Sequence, residues 1–359
     1  METVALPKTM LAWQKHLPST TPVRVEVPVP TPEGDEILIK VLAAGVCHSD
    51  YSLREMTTLP PEFSKMSGKF TFGHEGCGKI VALGPEAKKY KIGDVVAIMC
   101  VPGCGKSTCH ECSNGVPQIC LQGPRYGGGD DGFNAAYTKV RETAAVKVPE
   151  GVSAAAGAVA TDACMTAYHA VVGRAAVKKE DTVLIFGLGG LGFNALQIVI
   201  HIGARAIVVD QRQVVLDEAL KLGVKPEDVI PAGTTDVAGW VKEKKLIIDK
   251  VVDFVAVPDT FKAGVLSVRL SGIIVLVGLL SPELPLASPI AVRKQLSILG
   301  SYGGTIQDVE ACLSLIQKHV IIPQVVTGSL KDFPILLENL HHGKIKGRIA
   351  MIPEGLESQ

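Results

Sequence analysis

Up to about residue 150 the apolar positions come in short runs, at residues 23–27, 36–43, 78–83 and 95–99, interrupted by Pro and Gly. Runs of that length and spacing predict an irregular, mostly antiparallel β domain. From Ala154 small residues follow a helical pattern. From Thr182 strands and helices alternate at residues 183–186, 191–202, 206–210 and 214–222. This is the βαβ rhythm of a parallel sheet. Further buried strands are expected at residues 250–255, 272–277 and 296–300, without internal repeats between them. A helix near 306–319 and the stretch around 345–352 should return to the first domain and make it discontinuous.

Length and composition narrow this α/β picture. A chain of 359 residues favours two domains with one large shared core, and its size dispenses with disulfides. Lys plus Arg equals Asp plus Glu, 36 against 36, so no global field draws in nucleic acid or an anionic membrane. A small neutral partner is the expectation. The longest apolar stretches, such as residues 273–280, fall far short of the roughly 18 residues a membrane helix needs. Residues 1–11 carry Glu2, Pro7 and Lys8 and do not read as a secretory signal, so a cytoplasmic location is expected. Five of the nine cysteines, Cys100, Cys104, Cys109, Cys112 and Cys120, fall within 21 residues, which in a reducing compartment points to metal before disulfide.

Two constellations carry chemistry. The apolar run 183–186 leads into Gly187-Leu-Gly189-Gly190-Leu191-Gly192, which opens an amphipathic helix. In that context Gly187 permits the tight turn, Gly189 lets the backbone approach a pyrophosphate, and Gly192 lets helix and strand pack closely. The next strand ends at Asp210, 18 residues beyond Gly192, where a carboxylate accepts from both ribose hydroxyls and repels a 2′-phosphate. NAD is therefore expected over NADP, although nearby Arg212 could accommodate a phosphate. The second constellation is Gly45-Val-Cys47-His48-Ser49-Asp50 with Gly73-His74-Glu75-Gly76, both in the β domain. Thiolate and imidazole are strong zinc ligands, and three protein ligands leave a position open for substrate.

These motifs, with the cysteine-rich lobe and Gly347-Arg348, resemble the zinc-dependent alcohol dehydrogenases of the medium-chain dehydrogenase/reductase family over essentially the whole chain. The resemblance implies a GroES-like catalytic domain, residues 1–162 and 302–359, and a Rossmann NAD-binding domain, residues 163–301, with the active site in the cleft between them. It implies a third catalytic zinc ligand, Cys or Asp, at the entry to the Rossmann domain. Here Asp162 and Cys164 both stand in Thr161-Asp162-Ala-Cys164-Met-Thr166-Ala-Tyr168. Positions i and i+2 of a helix point roughly 200° apart, so one of them faces the metal. Matching the family's T-x-Y to Thr166 and Tyr168 selects Asp162 and leaves Cys164 buried.

By the same resemblance Cys104, Cys109, Cys112 and Cys120 hold a structural zinc. The first gap is four residues where the family has two, which puts the first ligand in question, with Cys100 the substitute. Ser49 is implied as the proton-moving hydroxyl, with Ser52 where the family often has a relay His. Asp50 is implied behind His74, and Glu75 as an occasional zinc contact. His48 and Arg348 are implied at the pyrophosphate, and Thr166, Gly190, Leu191, Gly278 and Ser301 at the cofactor. The expected reaction is hydride transfer between NAD(H) and an alcohol, aldehyde or ketone by a homodimer or homotetramer. The alternatives are a zinc-free quinone or enone reductase of the same superfamily, a non-catalytic NAD-binding protein, and a zinc-finger nucleic-acid binder, which neutral charge disfavours.

Overall fold

The computed structural model describes residues 6–59 and 67–355. These fall into two compact units. One contains the chain up to Asp162, then Gly304–Lys318 and the residues from Pro323 onward, and the other contains Ala163–Gly303 with His319–Ile322.

The first unit is built on β3 (Glu36–Val46), β5 (Glu75–Leu83), β6 (Val95–Ile98), β7 (Tyr137–Arg141), β8 (Ala145–Lys147), β15 (Val325–Ser329) and β16 (Arg348–Ile352). They form one sheet in the order β15-β16-β3-β5-β6-β8, with β7 also on β3, and every pairing except β15 with β16 is antiparallel. A small antiparallel sheet, β2-β1-β4, adds β1 (Thr9–His16), β2 (Val23–Pro28) and β4 (Lys69–Thr71). Strands β1, β4, β7, β8 and β15 lack long apolar runs and escape the sequence pattern. Ile37, Ile39, Val41, Phe72, Ile80, Val96, Phe133 and Phe333 fill the core. The helices of this unit are α1 (His48–Glu55), α2 (His110–Ser113), α3 (Ala154–Val159), α10 (Ile306–Gln317) and α11 (Phe333–His341).

The second unit holds β9 (Thr182–Phe186), β10 (Arg205–Val209), β11 (Val229–Ile230), β12 (Ile248–Asp253), β13 (Val268–Leu276) and β14 (Ser297–Gly300). All are parallel, in the order β11-β10-β9-β12-β13-β14, which is the doubly wound 3-2-1-4-5-6 arrangement. Its helices are α4 (Met165–Tyr168), α5 (Gly192–Ile202), α6 (Gln213–Lys221), α7 (Val237–Glu243), α8 (Pro258–Ser267) and α9 (Ser288–Lys294). Leu184, Phe186, Ile207, Val251, Phe261 and Ile274 are buried in its core. The helix expected at 306–319 ends at Gln317, and the segment after it joins the second unit, where Gln197 Oε1 accepts from the Ile322 amide at 2.8 Å. No helix among the described residues is long and apolar enough to cross a membrane.

Candidate active site

The antiparallel register of β3 and β5 explains why two short motifs far apart in sequence meet. Gly45 lies opposite Glu75, so Cys47, just past the end of β3, comes beside His74, just before β5 begins. A Cβ at Gly45 would stand 1.9 Å from a Glu75 carboxylate oxygen, so only glycine leaves room for that side chain. Strand β16 pairs with the other edge of β3, Ile349 opposite Val46, which delivers Arg348 to the same end.

Helix α1 begins at this point, with Cys47 as its N-cap. One Asp50 oxygen accepts from the Cys47 amide at 2.9 Å, and the other faces His74 Nδ1 at 3.1 Å. A fully buried carboxylate thereby fixes the Cys47 backbone and the His74 ring, whose other side-chain partner is Cys47. Asp162 comes from the π-helical turn Ala160–Cys164 that follows α3. A single π turn inside an α-helix is frequent at functional sites. Asp162 joins the cluster, while Cys164, fully buried, does not, in line with the opposed directions expected for the pair.

Ligand atoms of Cys47, His74, Glu75 and Asp162 lie within 4.8 Å of one another. Thiolate, imidazole and carboxylate are the donor types zinc takes, so the set fits that ion. Both Glu75 oxygens are buried without a hydrogen bond, and the Arg348 guanidinium stands 3.3 Å from one of them and 3.0 Å from Asp162. Arg348 is 4% exposed, so two carboxylates engage the group that the family resemblance assigns to a pyrophosphate.

Burial opposes ionisation of Asp162, but Arg348 and His74 hold its carboxyl down at about 2. Burial also works against the Cys47 thiolate, and Arg348 still draws that thiol below its ordinary value. Burial pushes Glu75 well up. For His74 the burial penalty is outweighed by Asp50, which raises the imidazole well above its usual range. The Ser49 hydroxyl is exposed and 3.6 Å from Cys47 Sγ, and Ser52 Oγ donates to the His48 carbonyl at 3.5 Å. His48 is exposed at the first position of α1.

A second cluster brings together Cys104, Cys109, Cys112 and Cys120 within the same 4.8 Å limit. A tetrahedron of sulfurs about 2.3 Å from its centre has edges of about 3.8 Å. Cys104 and Cys112 Sγ are 3.7 Å apart, as are Cys109 and Cys120 Sγ, so the geometry suits one ion and excludes disulfides. The longer first gap folds into a turn in which the Cys109 amide donates to the Lys106 carbonyl at 3.0 Å. Cys104 itself occupies the cluster. Cys100 belongs to neither cluster; it feels the charges of His74, Asp162 and Asp50, and burial pushes its thiol up to about 11.

In the second unit Gly187, Asp210, Gly278 and Ser301 follow the carboxyl ends of β9, β10, β13 and β14, the edge where doubly wound sheets bind ligands. Gly187 has φ +83°, and a Cβ on Gly192 would lie 1.8 Å from the Gly187 carbonyl, so the turn closes only with both glycines. A Cβ at Gly189 would meet nothing within 4 Å: the turn has an open face. No side chain caps α5, which leaves the amides about Gly190, Leu191 and Gly192 for an anion. The Leu188 amide donates to Asp210 at 2.8 Å, and Gly278 and Ser301 amides donate to Asp253 and Leu276 carbonyls. Thr166 is buried in α4. What the sequence reading missed is the double role of Asp50, the steric need for Gly45, and the place of Arg348 among the donors.

Comparison with known proteins agrees with this geometry. Residues 33–150 match the alcohol dehydrogenase GroES-like domain, and residues 190–318 match the zinc-binding dehydrogenase domain. The chain is 30% identical over 342 residues to an NAD-dependent alcohol dehydrogenase of Sulfurisphaera tokodaii, covering 92% of this chain and 97% of that one. It is 32% identical over 348 residues to alcohol dehydrogenase 1 of Emericella nidulans, covering 92% and 94%. Acetophenone reductase from Geotrichum candidum, solved in complex with NAD, superposes with a TM-score of 0.87 at 32% identity, covering 97% and 98%. Sheet order, donor set and kinship over nine-tenths of the length agree: this chain belongs to the zinc-type alcohol dehydrogenases of the medium-chain dehydrogenase/reductase family.

Proposed function

We propose that this protein transfers a hydride between NAD(H) and a small alcohol, aldehyde or ketone at a centre formed by Cys47, His74 and Asp162, with Glu75 as an alternate donor. The observation that carries this reading is the convergence of those four donors, with Asp50 behind His74. Held there, zinc supplies Lewis acidity toward the substrate oxygen, and NAD supplies the hydride acceptor.

The chain's own residues do the rest. Asp50 keeps the His74 ring in one tautomer and orientation. Arg348 balances the negative charge of Asp162 and Glu75. Ser49, with its hydroxyl at the donor cluster, moves the substrate proton toward Ser52 or solvent. The amides of the 187–192 turn hold the pyrophosphate, Asp210 takes the ribose diol, and Gly278, Ser301 and Thr166 line the remainder of the cofactor site. Cys104, Cys109, Cys112 and Cys120 hold a second, structural zinc.

Residues 1–162 and 302–359 form the catalytic domain in this reading and 163–301 the NAD domain; the two compact units support that division. Nine free cysteines favour a reducing, cytoplasmic setting. A homodimer or homotetramer is proposed from the second unit's edge strand β14, near which Leu279, Leu280 and Val292 are 70 to 81% exposed. The test is a panel of alcohols and ketones followed at the reduced-nicotinamide absorbance band, with metal content measured on the same preparation. Turnover that disappears with the metal supports the reading; turnover of enones or quinones without metal overturns it.

A further inference from the structure

The Asp210 carboxylate is already saturated. Its Oδ2 accepts from the Leu188 amide at 2.8 Å and from Arg212 Nη2 at 3.0 Å. Its Oδ1 accepts from the Arg212 amide and from Arg212 Nε, both at 2.9 Å. An ionised carboxylate offers about four acceptor sites, and all four are taken. Two of these donors are backbone amides of the turns around the strand ends and cannot leave without unfolding them. The other two belong to one guanidinium, whose side chain is 46% exposed while that of Asp210 is 7% exposed. A ribose diol reaching Asp210 has to displace the arginine fork.

We propose that Arg212 sets cofactor specificity by competing with the ribose diol for Asp210, and that the displaced guanidinium then serves as the cation that tolerates a 2′-phosphate. This rests on the reading that NAD binds at the 187–192 turn and deepens it. One side chain acts in two directions. Breaking a bidentate, charge-assisted pair costs binding energy that NAD must supply, so Arg212 weakens NAD. The same positive charge offsets the repulsion between Asp210 and a phosphate, and its planar fork matches phosphate oxygens, so Arg212 strengthens NADP. NAD remains preferred, by a narrower margin than an unpaired aspartate would impose.

The experiment is fluorescence titration of the full-length protein with NADH and with NADPH, without substrate, for the wild type and the Arg212→Ala, Arg212→Lys and Asp210→Ser variants. Arg212→Ala should tighten NADH several-fold and weaken NADPH by about tenfold, the size expected when one charge-assisted phosphate contact is lost. Arg212→Lys should tighten NADH while largely keeping NADPH, because lysine is a point charge that cannot form the fork. NADH affinity that falls, or stays unchanged, in both arginine variants overturns the proposal. The Asp210→Ser variant separates the two levels: weaker NADH binding there with no effect of Arg212→Ala removes this inference alone, whereas NADH binding indifferent to Asp210→Ser removes the underlying assignment of Asp210 as well.

Discussion

The two four-donor clusters of this chain make an instructive pair. The cysteine lobe takes all its donors from 17 consecutive residues, Cys104 to Cys120, joined by one turn, a short helix and a 3₁₀ turn. Its buried cluster consists of the cysteines themselves, with no aliphatic or aromatic side chain among them. With so little apolar core of its own, the lobe would owe much of its order to the structural zinc proposed for it. The catalytic cluster draws on positions 47, 74, 75 and 162, and its donors are held by a sheet register, a helix cap and a π turn. It is backed by an extensive core and includes an internal cation, Arg348. A site supported by its surroundings can leave coordination open for substrate; a site that is its own core has to be closed.

That contrast can be broken by mutation. The largest effect is expected at the catalytic donors: Cys47→Ala, His74→Ala and Asp162→Ala should each lower turnover by roughly a thousandfold or more while NADH titration stays close to wild type, since the Lewis acid's hold on the substrate oxygen is lost. An Asp162→Ala enzyme that keeps both its metal and its turnover would show that the carboxylate is not a ligand. Next comes Asp50→Asn, which keeps the shape but weakens the grip on His74; a loss of about 10 to 100-fold in metal affinity or activity is expected, measured as turnover against free zinc. Turnover independent of zinc concentration in that variant would argue that the Cys47 cap alone orders the site.

Smaller in turnover but large in stability is the lobe. Cys109→Ser or Cys120→Ser should remove one equivalent of metal by elemental analysis and lower the melting temperature, with most of the specific activity retained in the cold. Loss of both metals together would mean that the two clusters are not independent. The smallest effect belongs to Cys164→Ala, a buried thiol outside the donor cluster, for which a loss of about 1 kcal/mol in chemical denaturation and near-normal activity are expected. Loss of the catalytic metal in Cys164→Ala would exchange the roles of positions 162 and 164.

Much was legible in the residues because it is local. Alternation of apolar runs with glycine turns announced β9, β10, β12, β13 and β14 of the parallel sheet, though not the two-residue β11, and Gly187 to Gly192 with Asp210 could be picked out as a candidate binding edge, since those features depend on neighbours within a few dozen residues. The thiol count and spacing announced the lobe for the same reason. Short strands such as Lys69–Thr71 and Ala145–Lys147 were not legible, because three residues carry no period of their own and pair only where a longer neighbour offers an edge. The meeting of Cys47 with His74 could be inferred from motifs, but the reason for it, Gly45 opposite Glu75, exists only in the register. For Arg348 the resemblance implied a pyrophosphate contact; its place beside the Glu75 and Asp162 carboxylates follows only from the tertiary pairing of β16 with β3. Sequence alone determined which donor types and turns this protein possesses, because composition and local spacing are written in order along the chain. Tertiary structure alone decided which donors share a centre, which carboxylate faces which cation, and that Asp210 arrives already paired, because those outcomes depend on distances between residues that the chain keeps far apart or leaves free to turn.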